Sequence, residues 1–442
     1  MALNKRDVEH VIEELSGGKV PERGLEALAV GIERERGELH RQLERTREGA
    51  GGVKFLRGGY GCGKTFLARL TVADAQSQER NFATSFVVVS DNDLHFHRFD
   101  DVYRKVVSEL STRACRRGAL ADVLDRWVAK VEESLIALGR DPDAPGFDQE
   151  VLKKLDEHLA LHTKNEVPQD FVRAVRTIFE LKQRRQLADA AALLSWLSGS
   201  QNVSSAVKKL ADIKGEIQST DALAYLRGIL AIVKGAGYAG LVIVIDEAET
   251  ILRMKSDVRA KSLNGMRQID DIAGSFHGLL WIFTGTPEFF DTNRGVKGLQ
   301  PLYDRIQFRT EGGFVPFKQP QLQLQPFNKA RLKEVSMKLR SLYPAKNRDD
   351  FERRVTPEYL DLLVNEVTEG FCGDVGVVPR QFLRRLVNVL ELVDSEPTFN
   401  PGPGKPVLDP NLTPTEENKQ AGKPEFEAEP GDADGYEVMD IG

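Results

Sequence analysis

Cysteine is scarce in this chain of 442 residues. The sequence has three cysteines, far apart and without a C-x-x-C pair. So few cysteines exclude a disulfide framework and a zinc knuckle, and they fit a reducing compartment. We therefore expect the protein to be cytoplasmic.

Long apolar runs are also missing. No stretch approaches the roughly 18–20 consecutive apolar residues that a membrane span requires. The N-terminal residues MALNKRDVEHVIEELSGG lack the apolar centre of a signal peptide. We expect no membrane partner, and the hydrophobic content of 41% is ordinary for a globular chain.

Large apolar residues become rare in residues 395–442, which are rich in Pro, Gly and Glu. This segment holds eleven acidic residues and three lysines, whereas the rest of the chain is nearly neutral. Such a composition cannot bury enough surface to offset the entropy of ordering. We predict a disordered acidic tail, which either keeps the protein soluble or docks a partner. The neutral body neither requires nor excludes nucleic acid.

Four short apolar runs have the length of strands buried on both faces of a parallel sheet. They are GVKFL, SFVVVS, LVIVIDE and GLLWIFT. Helical patterns separate them, so the sequence predicts an α/β fold with a parallel sheet. The short segment RIQF, which contains Arg305, indicates a fifth strand at the edge.

The first apolar run is followed by GGYGCGKT, which has the form G-x-x-x-x-G-K-S/T between a strand and a helix. Glycine inside regular structure costs about 0.5–1 kcal/mol relative to alanine, so this density needs a reason. Backbone N–H groups of such a loop converge on phosphate oxygens. We predict a nucleoside-triphosphate site that consists of Gly58, Gly59, Tyr60, Gly61, Cys62, Gly63, Lys64, Thr65 and Phe66.

Within this loop, Lys64 is expected to reach the β- and γ-phosphates and Thr65 to bind Mg²⁺. The third run, LVIVIDE, supplies the acidic partner at the carboxyl edge of the sheet. There Asp246 is predicted to hold Mg²⁺, and Glu247 to orient and polarise the attacking water. An adjacent Asp-Glu pair favours a hydrolase over a kinase.

Softer signals lie further along the chain. Thr284 and Thr286 both qualify as a polar contact to the γ-phosphate or the attacking water, and the sequence does not choose between them. Arg305 is predicted to project onto the γ-phosphate of a neighbouring subunit, with Arg294 as the fallback. Arg380, in the first turn of the last helix, is expected to fold back onto bound nucleotide.

These motifs predict four regions. Residues 1–50 form a helical segment that flanks the nucleotide site. Residues 51–325 form the P-loop nucleotide-binding domain, with a helical insertion at about 100–235. Residues 326–394 form an all-α lid, and residues 395–442 form the tail.

The order of the motifs resembles that of AAA+ ATPases of the Orc/Cdc6-like branch, within the P-loop NTPase (ASCE) fold of a three-layer parallel sheet. GGYGCGKTFLAR, SWLSG and GYAGLVIVIDEAETILRM resemble most closely the ATP-binding proteins of bacterial BREX phage-defence systems, the BrxD-like family. The resemblance covers about residues 5–395. Gly285 stands where many relatives carry a sensor asparagine, which leaves the choice of threonine open, and no winged-helix domain follows the lid.

The resemblance implies ATP hydrolysis with Mg²⁺, assembly into a homo-oligomer, action on DNA and a role in anti-phage defence. It also implies helicase or methyltransferase partner proteins. The alternative is a nucleotide-dependent signalling or scaffold module, or a protein remodeller, that does not act on DNA.

Overall fold

The structure is a computed structural model that describes residues 3–90, 94–163, 166–369 and 378–401. The Cys372 position and nearly all of the predicted acidic tail lie outside these residues. None of the described helices has the length and apolar character of a membrane span.

One mixed sheet organises the described part of the chain. Its strands are β1 (Gly52–Arg57), β2 (Ala83–Val88), β3 (Leu110–Ser111), β4 (Leu241–Asp246), β5 (Leu279–Gly285) and β6 (Gln321–Gln323). Their order is β3-β2-β4-β5-β1-β6, and every pairing is parallel except β3 with β2. The predicted α/β class with a parallel sheet is confirmed, and the four apolar runs are four of its strands.

The fifth-strand prediction was wrong. Residues Gln300–Ile306 form a helix instead, with a proline in its first turn. Leu302 and Ile306, one helical turn apart, are both buried. This i, i+4 spacing is helical, and a proline near the start of a helix lacks only an N–H that would be unpaired there anyway. The strand beyond β1 is β6, which follows fifteen residues later.

Helices cover both faces of the sheet. The N-terminal ones are α1 (Lys5–Ser16), α2 (Glu33–Arg47) and α3 (Lys64–Ala75), with a 3-10 turn at Leu25–Leu28. Between β2 and β4 run α4 (Phe99–Ser108), α5 (Leu120–Ala137), α6 (Phe147–Thr163), α7 (Gln169–Gln183), α8 (Leu187–Leu197), α9 (Ser205–Leu210) and α10 (Ala222–Gly235). These insertion helices share a continuous apolar core with one face of the sheet.

The remaining helices follow β4. A 3-10 helix at Ala248–Arg253 leads into α11 (Ser256–Ala273). After β5 come α12 (Pro287–Asp291), a 3-10 turn at Val296–Gly298 and α13 (Gln300–Ile306). Four helices end the described chain, namely α14 (Lys329–Leu342), α15 (Arg348–Arg354), α16 (Pro357–Glu369) and α17 (Val378–Ser395). We call these four the C-terminal helices.

The N-terminal segment is divided between two cores. Val11 and Leu15 of α1 are buried in the same cluster as Phe382 and Leu386 of α17. In contrast, the buried leucines of α2 belong to the cluster under the other face of the sheet. Helix α1 therefore packs with the C-terminal helices and α2 with the sheet, while the segment between them contributes Leu28 and Val30 to the first core and Leu25 to the second.

A buried ion pair fixes α2 against β1. The Nζ of Lys54 lies 2.8 Å from a carboxylate oxygen of Glu38, and both side chains are about 95% buried or more. Arg41 also donates to Glu38 at 2.7 Å, and Lys54 donates to the carbonyl of Gln319 at 2.6 Å. Burial alone would raise the pKa of Glu38, but these hydrogen bonds lower it from 4.5 to about 2.

Candidate functional site

The turn from β1 into α3 is shaped by glycine. Gly61 and Gly63 have φ values of +76° and +84°, in the left-handed region that other residues rarely adopt. Gly63 is also the N-cap of α3, so the backbone enters the helix directly after it. The loop of residues 58–63 therefore opens at a helix N-terminus, which carries partial positive charge and unpaired N–H groups.

Lys64 is held back against this loop. Its Nζ donates to the carbonyl of Gly58 at 2.9 Å and to that of Gly59 at 3.2 Å. The Tyr60 ring centroid lies 5.4 Å from the same nitrogen. The loop backbone thus surrounds a buried ammonium group, which suits the binding of an anion.

Asp246, the last residue of β4, is linked to α3 and to β5 through two hydroxyl groups. Its Oδ2 accepts from Thr65 at 2.9 Å, and its Oδ1 accepts from Thr284 at 2.6 Å. The side chain is 1% exposed. Because β5 lies between β1 and β4, a hydroxyl at its end is placed between the glycine loop and the carboxylate.

Glu247 has the conformation of a strained residue. Its φ and ψ are 60° and 43°, in the left-handed region, where a non-glycine residue costs about 1–2 kcal/mol. Its backbone N–H donates to the hydroxyl of Thr284 at 2.9 Å. The residue is exposed at the sheet edge, so its carboxylate can reach solvent.

Thr284 and Thr286 have different surroundings. The Thr284 hydroxyl bridges Asp246 and the backbone of Glu247, whereas the Thr286 hydroxyl accepts from the N–H of Phe289 and caps α12. Between them, a Cβ added to Gly285 would lie 2.8 Å from the rings of Phe289 and Phe290. This crowding explains why a side chain such as asparagine does not fit at that position.

Glu249 was not anticipated from the sequence. Its Oε1 lies 3.6 Å from the Nζ of Lys64, and its side chain is 10% exposed. Its Oε2 is buried and has no hydrogen-bond partner in the described part of the chain. Burial raises the pKa of Glu249, although nearby Lys64 acts in the opposite direction. The signal in the sequence was the third acid of DEAE, which the 3-10 turn after β4 brings back to the loop.

The other predicted residues lie at the borders of this group. Phe66 packs between the C-terminal helices and the sheet core, and Cys62 is buried, which raises the pKa of its thiol. Arg380 is exposed on α17, and its side chain lies beside Gly18, after α1. These positions border the glycine loop or the C-terminal helices, without joining the hydrogen-bonded group itself.

Neither predicted finger arginine joins the group of Lys64, Thr65 and Asp246. Arg305 lies in the last turn of α13, not before a strand, and forms an ion pair with Asp271 of α11. Its side chain is 46% exposed. Arg294 is also exposed and donates to the carbonyl of Leu252 at 3.2 Å. Both side chains are therefore accessible from outside the subunit.

The donor set fits Mg²⁺ bound together with a phosphate. Thr65 and Asp246 present oxygen ligands 2.9 Å apart, and Mg²⁺ prefers oxygen and keeps several water or phosphate ligands. Among the described residues, no cluster of three or more His, Cys, Asp or Glu side chains could hold a metal.

Comparison with known proteins gives one strong match. The model of the family described as "BREX system ATP-binding protein BrxC/D" matches residues 3–403. A comparison with curated protein sequences finds no match.

Two solved structures of origin-recognition proteins are similar at low level. Drosophila ORC bound to DNA is 12% identical, with a TM-score of 0.38, over 89% of this chain and 63% of that one. The Aeropyrum pernix ORC2 protein, in ADPNP-ADP complexes, is 14% identical, with a TM-score of 0.35, over 82% and 61%. This chain spans less than two thirds of either. Similarity this low carries no weight for its function.

Proposed function

Because this chain belongs to the family of BREX system ATP-binding proteins BrxC/D, we propose that it hydrolyses the ATP it binds. In this proposal it uses Mg²⁺ and works in the cytoplasm as an oligomeric AAA+ motor or switch on DNA. The observation that supports hydrolysis is the hydrogen-bonded series Thr65–Asp246–Thr284–Glu247, which joins the glycine loop to an exposed carboxylate.

Lys64 and the loop backbone would bind the phosphates. The Lys64 ammonium is already positioned at the loop, where it would exchange its present partners for β- and γ-phosphate oxygens. Thr65 and Asp246 would hold Mg²⁺, which neutralises charge on the phosphates when it is bound.

Glu247 would orient the attacking water and accept its proton. The left-handed backbone turns its carboxylate away from the strand, and Thr284 fixes this backbone through the N–H of Glu247. A general base in this position contributes about 10²–10⁴ in rate. Thr284 acts here through Asp246 and Glu247, which favours it over Thr286 for the sensor position.

Hydrolysis would depend on assembly. Arg305 is half exposed, and a neighbour's Arg305 would stabilise charge on the transferred phosphate, which is worth about 10³–10⁵ in rate. Arg294 is the second candidate for this role, and Arg380 would contact the nucleotide from α17 after movement of the C-terminal helices.

The test is ATP turnover measured against protein concentration, with and without duplex and single-stranded DNA, alongside a native mass. We expect turnover per subunit to rise with concentration and with DNA, and the DNA effect to fall steeply as salt is added. Turnover that never responds to DNA would favour the scaffold or protein-remodelling alternative. A lack of ATP turnover under all conditions would overturn the proposal of hydrolysis.

Lys64→Ala is the matched negative control for the nucleotide site. It should lose ATP binding, because the loop then lacks its only side-chain cation for the β- and γ-phosphates. Lys297→Ala, which removes an exposed lysine near α13, should leave both binding and turnover unchanged.

A further inference from the structure

Glu249 places a carboxylate where a phosphate is expected to bind. Its Oε1 lies 3.6 Å from the Nζ of Lys64, and both side chains are about nine-tenths buried. The other acids nearby are engaged elsewhere: Asp246 accepts from two threonines, and Glu247 lies in an exposed position at the sheet edge. Glu249 is therefore the acidic partner of Lys64 in this structure.

The two oxygens of the Glu249 carboxylate have different surroundings, and only Oε1 lies near Lys64. Oε2 is buried without a hydrogen-bond partner among the described residues. A buried oxygen that accepts nothing loses the free energy of its hydration, so the position is unfavourable for the acid itself. A residue whose only purpose was to support the fold would be expected to satisfy both oxygens.

We propose that Glu249 is a positioning residue that competes with the nucleotide for Lys64. Its carboxylate holds the ammonium group at the loop, and a bound triphosphate has to replace this ion pair. The inference rests on the proposed function, because it requires Lys64 to bind the β- and γ-phosphates. It adds that the chain carries an internal anion which weakens that binding.

Two roles of Glu249 can be distinguished, because Glu249→Gln should change nucleotide affinity in opposite directions if the residue competes for Lys64 and if it only supports Lys64. If Glu249 only holds Lys64 in place, its loss should weaken nucleotide binding. If Glu249 competes, Glu249→Gln keeps the shape but removes the charge, and a triphosphate should bind more tightly. We expect a gain of about tenfold, which corresponds to the removal of one modest opposing interaction.

The measurement is the dissociation constant of a non-hydrolysable ATP analogue, of tripolyphosphate and of AMP, each with Mg²⁺ and the full-length protein. Glu249→Gln should lower the dissociation constants of the analogue and of tripolyphosphate by similar factors, because both ligands carry the phosphates that Lys64 is proposed to contact. AMP should be unaffected, since it has no β- or γ-phosphate. Glu249→Asp keeps the charge on a shorter side chain and should give a smaller gain.

The matched control is Glu288→Gln. Glu288 is an exposed acid on α12, at the same edge of the sheet, and the change in net charge is identical. In this control the affinity for the ATP analogue and for tripolyphosphate should rise less than about twofold, because exposed charges are screened by solvent. An equal gain in both variants would assign the effect to net charge and overturn the inference.

Unchanged or weaker triphosphate binding in Glu249→Gln, with an unchanged melting temperature, would also overturn it. If Glu249→Gln does not fold, the same criterion applies to Glu249→Asp. Failure of this inference alone leaves wild-type binding and the Lys64→Ala loss intact. If the wild-type chain binds none of the three ligands, the proposed function fails together with the inference.

Discussion

The hydroxyl of Thr284 donates to Asp246 across 2.6 Å and at the same time accepts from the backbone N–H of Glu247. One side chain at the end of β5 therefore fixes both acids at the end of β4. A single hydroxyl thus holds the carboxylate of Asp246 and the backbone that carries Glu247, and the relative position of the two residues depends on it.

Thr284→Val should show whether Thr284 or Thr286 occupies the sensor position. Valine has the same shape but no hydroxyl, so Asp246 and the N–H of Glu247 each lose a partner in a buried site, at a cost of about 1–3 kcal/mol. We expect kcat for ATP hydrolysis to fall about 10- to 100-fold in Thr284→Val, with a smaller change in KM. Thr284→Ser keeps the hydroxyl and should retain most of the wild-type kcat. Steady-state kinetics and thermal unfolding measure both effects.

The control for that variant is Thr286→Val, which removes the cap of α12. It should lower the free energy of unfolding by about 1 kcal/mol and leave kcat within a few-fold. If Thr286→Val lowers kcat strongly and Thr284→Val does not, the sensor position belongs to Thr286.

Replacing Glu247 by glycine should relieve the strain of its left-handed backbone and at the same time remove the carboxylate needed for turnover. Glycine adopts a φ of 60° freely, whereas alanine does not, so Glu247→Gly should unfold at higher denaturant than Glu247→Ala. The difference is expected to be about 1 kcal/mol in the free energy of unfolding. Both variants, and Glu247→Gln, should bind ATP and lose about 10²–10⁴ in turnover.

Two outcomes count against this account of Glu247. Normal turnover in Glu247→Gln removes the residue from its catalytic role. Equal stability of the glycine and alanine variants in urea titrations shows that the left-handed backbone carries no strain.

Arg305 can be tested by mixing two inactive proteins. Arg305→Ala keeps an intact nucleotide loop but lacks the arginine, and Lys64→Ala keeps the arginine but lacks the nucleotide site. If Arg305 acts on a neighbouring subunit, the mixture should recover a substantial part of the wild-type turnover, although each variant alone is inactive. Turnover is measured as a function of the mixing ratio.

Two further variants give this mixing experiment its controls. Arg309→Ala, an exposed arginine three residues after the helix, should retain wild-type turnover alone. Recovery with Arg294→Ala and not with Arg305→Ala assigns the role to Arg294. A mixture that stays inactive excludes action between subunits for both.

The ion pair of Glu38 and Lys54 should make stability depend on pH in a defined range. The pKa of Glu38 is lowered from 4.5 to about 2, so its contribution is complete above about pH 4.5 and is lost as the pH falls towards 2. A shift of this size corresponds to about 3 kcal/mol. Glu38→Gln should be less stable than wild type by about that amount at pH 7, because it leaves the buried Lys54 ammonium without an opposite charge.

Urea unfolding at a series of pH values from 7 to 2.5 measures this contribution. The difference between wild type and Glu38→Gln should narrow as the pH is lowered. Glu48→Gln, an exposed acid just after α2, serves as the control and should differ little from wild type. A difference that stays constant with pH would show that Glu38 acts through its shape and not its charge.

The sequence was sufficient where the signal was local. The family predicted from the motifs is confirmed. It could be predicted because the phosphate loop and the Asp246-Glu247 pair each lie within a few consecutive residues. The buried strands were also predictable from short apolar runs. The sequence shows Glu249 as the third acid of DEAE, but it could not reveal the ion pair with Lys64, since that contact depends on how a 3-10 turn folds back on a loop nearly two hundred residues earlier.

Two other features depended on tertiary structure. RIQF was predicted as a strand because a run of four residues does not distinguish strand from helix, and Pro301 and the spacing of Leu302 and Ile306 decide it only in context. Gly285 was recognised as a departure from the family pattern, but its cause, the nearby rings of Phe289 and Phe290, is visible only in three dimensions.

The packing of α1 against α17 has a consequence for biosynthesis. Val11 leaves the ribosome long before Phe382 and Leu386, so the apolar face of the first helix has only Leu28 and Val30 of its cluster beside it until the C-terminal helices have been made. A newly made chain must keep that face from aggregating throughout translation. The core that α1 shares with α17 is complete only after α17 has been made.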